Sequence, residues 1–207
     1  CFISIFFFVM HIKTNLSKKI ITWYDNNKRT LPWRVPFNSS QKLYYRLLSE
    51  FMLQQTKVIT VIPYFNKFIK RFKNLKDLSK CSEAEILKLW EGLGYYRRAR
   101  NLLKTSKILV EKHRSRLPQS LDEIKKLPGI GEYTANALLG FVHDHPTIAF
   151  DGNVKRIFSR ILNKTESEIN FKTLLEKNRK NLLSTSRGSD YVEALMEFGA
   201  LICKPKD

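Results

Sequence analysis

LPGIGEYTANALLG, residues 127–140, is the stretch whose reading decides the fold. Gly129 and Gly131 lack Cβ, so the turn can adopt positive φ and bring bare backbone close to a ligand. A helical pattern over 132–143 follows, and its first turn offers unpaired N–H groups and the positive end of the dipole, a ready anion site. Upstream, Ser120-Leu121-Asp122-Glu123 has the form of a capping box and opens a short helix over 120–126. Helix, glycine turn and helix over 120–143 thus form a unit able to hold a polyanion backbone. A plain αα-turn with glycine stops has the same pattern. Tyr133 is the odd residue: a bulky phenol two positions after the second glycine, where loop becomes helix.

Working outward, no segment alternates with period two, whereas apolar spacings of three and four recur throughout. Ser82-Glu83-Ala84-Glu85 is a second capping box, followed by Ile86, Leu89, Trp90 and Leu93 on one face, with Gly92 and Gly94 as stops. Further helical patterns cover 15–28, 41–54, 57–71, 95–112, 153–163, 171–182 and 190–202. Connections are short, and no repeat or low-complexity tract interrupts them. The fold class is all-α.

The 207 residues are 43% apolar, enough for a real core. Lys and Arg number 37 against 19 Asp and Glu, a net charge of +18. Such a surface favours polyanions through phosphate neutralisation and counterion release, although a codon bias toward Lys would also raise it. Cys1, Cys81 and Cys203 are far apart with no C-x-x-C, which argues against a disulfide framework and for a reducing, cytoplasmic setting. The opening CFISIFFFVM is about half a membrane span and lacks a signal peptide's basic start and cleavage site. Residues 1–11 are expected to be upstream read-through or disordered, with Met10 as the start. An N-terminal anchor is the alternative; otherwise no membrane partner is expected.

Seven motifs occur in order: LPWR (31–34), SEFMLQQT (49–56), VIPYF (61–65), LWEGLGYYRRARNL (89–102), LPGIGEYTANA (127–137), FDGNVKRIFSRI (150–161) and EALMEFGALIC (193–203). Together they resemble the helix–hairpin–helix DNA glycosylase superfamily, which includes endonuclease III, and specifically the adenine DNA glycosylases of the MutY type. The resemblance runs from about Ile20 to the end and is most specific in LQQT, GLGYY and DGNVKR. It implies two helical lobes. One is a six-helix barrel module over 40–146, with the helix–hairpin–helix at 120–143. The other is an N/C-terminal lobe from 12–39 and 147–207 that would carry an iron–sulfur cluster. A catalytic cleft would lie between them. The implied partner is double-stranded DNA with A·8-oxoguanine or A·G mispairs, met by a monomer.

The implied chemistry, hydrolysis of adenine's N-glycosidic bond, needs the base rotated into a pocket, a proton on the leaving base and a stabilised sugar cation. Two carboxyls of different pKa suit it. Glu50 lies on a helix among Leu47, Phe51 and Leu53, where desolvation would raise its pKa. On spacing alone it reads as an exposed helix glutamate; the match to SEFMLQQT makes it the acid. Asp151 reads as the N-cap of the helix after DGNV, and the resemblance makes it the stabiliser of the cationic sugar, with Asn153 orienting it. A capped, hydrogen-bonded carboxylate is expected to stay ionised. At the position of Tyr133, relatives that also cleave the strand carry a lysine that forms a Schiff base. A phenol cannot form an imine, so Tyr133 argues for a monofunctional glycosylase; packing beneath the loop is its structural alternative.

The resemblance extends to recognition. Gln55 and Tyr95, with Thr56 in the same LQQT motif, match residues that wedge into the duplex beside the flipped base. Leu31, Trp33, Arg34 and Glu193 match the adenine pocket, although Asp190-x-x-Glu193 also fits a capping box. Gly129 and Gly131 would meet DNA backbone. Lys155 and Arg156, with Arg97, Arg98 and Arg100, suit phosphates. Cys203 stands where the first ligand of a [4Fe–4S] cluster belongs in C-x₆-C-x₂-C-x₅-C spacing, and the other three are absent from this chain. The cluster is therefore expected in a longer protein and not completable here. The alternatives are an endonuclease III-like pyrimidine-damage enzyme and a non-catalytic DNA-binding fragment.

Overall fold

The computed structural model describes residues 16–183 and 185–205, which form helices and connecting turns without a strand among them. Residues 1–11, and with them the CFISIFFFVM run, lie outside the described residues. The helices are α1 Leu16–Asn27, α2 Lys42–Leu53, α3 Val58–Arg71, α4 Leu75–Ser79, α5 Glu83–Trp90, α6 Arg97–His113, α7 Leu121–Lys125, α8 Glu132–His143, α9 Gly152–Leu162, α10 Phe171–Lys177, α11 Arg179–Leu182 and α12 Gly188–Leu201. A 3₁₀ turn occupies Glu166–Glu168. None of the described helices is long and apolar enough to cross a membrane. The chain divides into two compact units, Thr30–Leu138 and the segments up to Arg29 and from Leu139 onward.

The Thr30–Leu138 unit follows from apolar stripes at helical spacing. In α2, Tyr44, Leu47, Leu48, Phe51 and Met52 recur at three and four residues and are all buried. Val61, Phe65 and Phe68 of α3 are buried, and Phe68 packs edge to face on Trp90 of α5 at 5.7 Å. Ser82 caps α5 by accepting from the Glu85 N–H at 3.1 Å, as the sequence implied. Two other details differ. The Ser120 side chain makes no cap bond on α7, and Glu123 pairs with Lys126 instead. The sequence reading also missed α4, a single turn started by Asn74 accepting from the Asp77 N–H at 2.9 Å. Five residues are too few for a helical period to register.

The expected boundaries at 39/40 and 146/147 fall eight to ten residues late. Trp33 is buried edge to face on Phe65 at 5.3 Å, and Tyr45 packs on the same ring at 5.2 Å. That packing fixes the segment before α2 to this unit.

The other unit has its own core. Leu16, Ile20, Ile21 and Tyr24 of α1 pack with Val154 and Phe158 of α9 and with Tyr191, Ala194 and Leu195 of α12. Burying each such side chain is worth about 1.5–3 kcal/mol. Arg29 adds a fork onto the buried Glu197, its Nε and Nη2 each donating at 2.8 Å. Asp144 accepts from the Ser189 N–H at 2.7 Å and so caps α12 from a distant segment. Asp190 is therefore not the cap expected from sequence: it lies inside the first turn and accepts from Arg187 Nε at 2.7 Å. The expected helix over 171–182 is broken at Asn178, whose side chain donates to the Leu174 carbonyl at 2.9 Å.

Candidate functional site

In the Thr30–Leu138 unit, the glycine turn between α7 and α8 is fixed by side chains. Thr105 Oγ1 donates to the Pro128 carbonyl at 2.9 Å, and Gln54 Nε2 donates to the Gly129 carbonyl at 3.4 Å. Gly129 has φ +78°, and a Cβ there would fall 2.8 Å from Asn101 Cβ and 2.9 Å from Phe51 Cε1. The positive φ is as the sequence implied, and the interior adds its own demand for glycine at 129. Gly131 differs, because a Cβ there would meet nothing within 4 Å. Tyr133 follows in the first turn of α8, half-buried. Glu50 is buried in α2, with 5% of its surface exposed, so it is not the solvated helix glutamate that spacing alone allowed.

Two loops precede this turn in sequence, and each carries one non-glycine residue in the left-handed region: Gln55 at φ +57° and Tyr95 at φ +49°. Left-handed backbone costs an L-residue on the order of 1–2 kcal/mol. Both side chains point to solvent, and Tyr95 is 63% exposed. These are the two positions read as wedges. Arg98 lies beneath them, buried, with its guanidinium bonded to carbonyls of both loops and to Thr56 Oγ1 at 3.1 Å. Burial pulls it below the ordinary arginine range, with Tyr95 opposing. It is a structural tie rather than the phosphate contact read from sequence. Arg100 is paired with Glu83 at 2.7 Å, and Arg97 is exposed. Leu31 and Trp33 are buried and Arg34 is half-buried, its N–H donating to the Leu31 carbonyl at 3.0 Å.

In the other unit, Asp151 caps α9 with extended backbone, Oδ1 accepting from the Val154 N–H at 2.7 Å. Its Oδ2 accepts from Asn153 Nδ2 at 3.1 Å. Asn153 Oδ1 in turn accepts from Arg156 Nη2 at 2.8 Å, and Arg156 Nε donates to the Cys203 carbonyl at 2.7 Å. The sequence-predicted residues Asp151, Asn153, Arg156 and Cys203 therefore form one hydrogen-bonded chain. Gly199 permits it, since a Cβ there would come within 2.7 Å of Asn153 Cβ. Burial is the dominant influence on Asp151 and lifts its carboxyl above the ordinary value, against the pull of the Val154 and Asn153 bonds and of Arg156. Sequence showed the donors to this carboxylate and not the burial that outweighs them.

Arg156 also donates to the Gly199 carbonyl at 2.9 Å, so its guanidinium is committed within the fold. Lys155 lies 5.6 Å from the Phe171 ring centroid. Glu193 is buried and accepts from Tyr24 Oη at 2.5 Å, a partner no motif signalled. Cys203 is half-buried, and its sulfur accepts from Arg160 Nη1 at 3.2 Å. Among the described residues no group of three or more His, Cys, Asp or Glu could hold a metal ion. Three cysteines cannot supply the four thiolates of a [4Fe–4S] cluster, so the residues of this chain do not fit that group unaided.

Comparison with known proteins gives a consistent picture. The family model described as "HhH-GPD superfamily base excision DNA repair protein" matches residues 48–181. A protein of Buchnera aphidicola subsp. Baizongia pistaciae named "Adenine DNA glycosylase" is 44% identical over 185 residues, covering 89% of this chain and 52% of that protein. The Mus musculus protein of the same name is 36% identical over 202 residues, covering 93% of this chain and 39% of its own length. The chain thus spans about half or less of the curated relatives it matches. Among solved structures, a thermostable thymine-DNA glycosylase aligns with a TM-score of 0.77 at 26% identity, covering 92% of this chain and 87% of that one. An endonuclease III–DNA complex aligns with a TM-score of 0.72 at 20% identity, covering 92% and 86%, a likeness of fold.

Proposed function

The chain belongs to the HhH-GPD superfamily of base excision DNA repair proteins, and from that premise we propose that it is a monofunctional adenine DNA glycosylase. Its substrate on this reading is double-stranded DNA with adenine opposite 8-oxoguanine or guanine. The observation that carries the proposal is the pair of sheltered carboxyls, Glu50 within α2 and Asp151 capping α9, in a chain whose relatives bear that name. A net charge of +18 suits a polyanionic partner.

Glu50 donates its proton to the adenine as the bond from C1′ to the base breaks, and the base leaves neutral. Asp151, ionised and oriented by Asn153, is assigned to stabilise the developing positive charge on the sugar. A water molecule then adds its oxygen to C1′ and returns a proton to Glu50, leaving an abasic site. Tyr133 has no amine and forms no Schiff base, so the strand stays intact. Leu31, Trp33, Arg34 and Glu193 are assigned to the adenine pocket. Gln55, Thr56 and Tyr95 are assigned to the gap left by the base, and Gly131 with Lys155 to the phosphates. Cys203 is assigned as one ligand of a cluster completed by residues this chain does not contain.

The test is single-turnover excision by the chain and by Glu50→Gln on duplex with adenine opposite 8-oxoguanine. The chain releases adenine, while Glu50→Gln binds the duplex and leaves the base in place. Equal release by both would overturn the assignment of the acid.

A further inference from the structure

We propose that Arg98 is a positioning residue, a tie that holds Gln55 and Tyr95 as a pair for contact with the duplex. The assignment rests on the DNA-binding reading above and deepens it. α2 ends at Leu53, and its last carbonyls have no partner within the helix. A glycine in the left-handed position commonly closes such an end, but here the residue is Gln55, at φ +57°. Arg98 supplies what the missing glycine would. Its Nη1 donates to the carbonyls of Phe51 at 3.3 Å, Met52 at 2.8 Å and Gln54, and to Thr56 Oγ1 at 3.1 Å. Its positive charge also suits the negative end of the α2 dipole.

The same guanidinium reaches the second loop. Nη2 donates to the carbonyls of Leu93 at 3.1 Å and Gly94 at 3.2 Å, immediately before Tyr95 at φ +49°. Trp90 Nε1 donates to the Gly94 carbonyl at 3.0 Å, and the guanidinium carbon lies 5.5 Å from the Trp90 ring and 5.4 Å from that of Tyr95. Two strained residues with exposed side chains therefore depend on one buried cation. Strain held this way by surrounding structure marks functional positions. Only a planar fork can serve acceptors on both sides, because a lysine places its three donors on one atom.

The test compares the chain with Arg98→Lys, first without DNA by amide hydrogen exchange and then by affinity for duplex with adenine opposite 8-oxoguanine. Exchange should accelerate by about tenfold or more at 54–57 and 93–96, and stay unchanged in α3 and α5. Duplex affinity should fall by roughly tenfold, and by only about threefold when Tyr95→Ala is already present, since Arg98 acts through Gln55 as well as through that side chain. Unchanged loops, acceleration spread evenly over 30–138, or losses that multiply in the double variant would overturn the proposal. Thr56→Val removes one acceptor and leaves the guanidinium intact. If Arg98→Lys fails to fold, this second variant should loosen 54–57 alone, and no loosening there overturns the tie. A chain that binds no duplex at all overturns the DNA-binding reading and this role with it, whereas localised exchange would still show the tie itself.

Discussion

Replacing Asp151 with asparagine should separate stability from chemistry. The amide oxygen can still accept from the Val154 N–H, now at 2.7 Å, and asparagine and aspartate are equivalent N-caps to within a few tenths of a kcal/mol. What changes is the charge, and with it the bond from Asn153 Nδ2, which an amide nitrogen in place of Oδ2 cannot accept. Burial holds the Asp151 carboxyl above its unfolded value of 3.8, so the folded protein takes up this proton first as pH falls. The ionised form is therefore the one that folding penalises. The penalty is absent below pH 3.8, grows as pH rises through the folded value and is constant above it. At pH 7 relief of that penalty offsets the lost Asn153 bond, so Asp151→Asn should melt above Asp151→Ala, and the offset should vanish in acid. Asp151→Ala loses the cap and should cost about 0.5–2 kcal/mol. At roughly 2–4 °C per kcal/mol for a chain of this size, that is a fall of about 1–8 °C. Excision should respond the other way round, with Asp151→Asn losing about 10²–10³-fold through the lost electrostatic stabilisation. Melts followed by circular dichroism at several pH values, beside single-turnover adenine release, read both quantities. An Asp151→Asn variant that melts as low as Asp151→Ala, or that excises at the unaltered rate, would refute the reasoning.

Two glycines in one turn should behave differently. Gly129→Ala combines left-handed backbone with contacts of 2.8–2.9 Å to Asn101 and Phe51, and should cost about 2–5 kcal/mol in a urea melt. Gly131→Ala meets nothing within 4 Å and should stay within about 0.5 kcal/mol, while duplex affinity falls if that backbone meets phosphate. Tyr191 is fully buried, and its hydroxyl has no hydrogen-bond partner among the described residues. Tyr191→Phe should therefore raise stability by about 1 kcal/mol, and a loss of that size would show that the hydroxyl is satisfied.

Much of this was legible in the sequence because the signals were local. The stripe 44-47-48-51-52 announces α2, and DGNV announces a capped α9. Arg98 was legible too, had its spacing outweighed its charge: with Leu102, Thr105 and Leu109 it falls on the buried face of α6. The cluster RRAR suggested phosphate instead, because charge is visible in a sequence and burial is not. Gly129 shows what a motif leaves out, since Asn101 and Phe51, distant in sequence, also require glycine there. The Tyr24–Glu193 bond and the Asp144 cap on α12 join residues more than forty positions apart, which no motif encodes. The direction of the Asp151 shift was not legible for a related reason, since the balance of desolvation against hydrogen bonds is set by packing.

The central claim is tested most directly by identifying the base and the strand left behind when the chain acts on duplexes with adenine opposite 8-oxoguanine, guanine or thymine, and with thymine opposite guanine. Free adenine should appear from the first two substrates and not from adenine opposite thymine. The product strand should break only after alkali, and borohydride should trap no protein–DNA adduct. Equal release from adenine opposite thymine, release of thymine in place of adenine, or a trapped adduct would contradict the account.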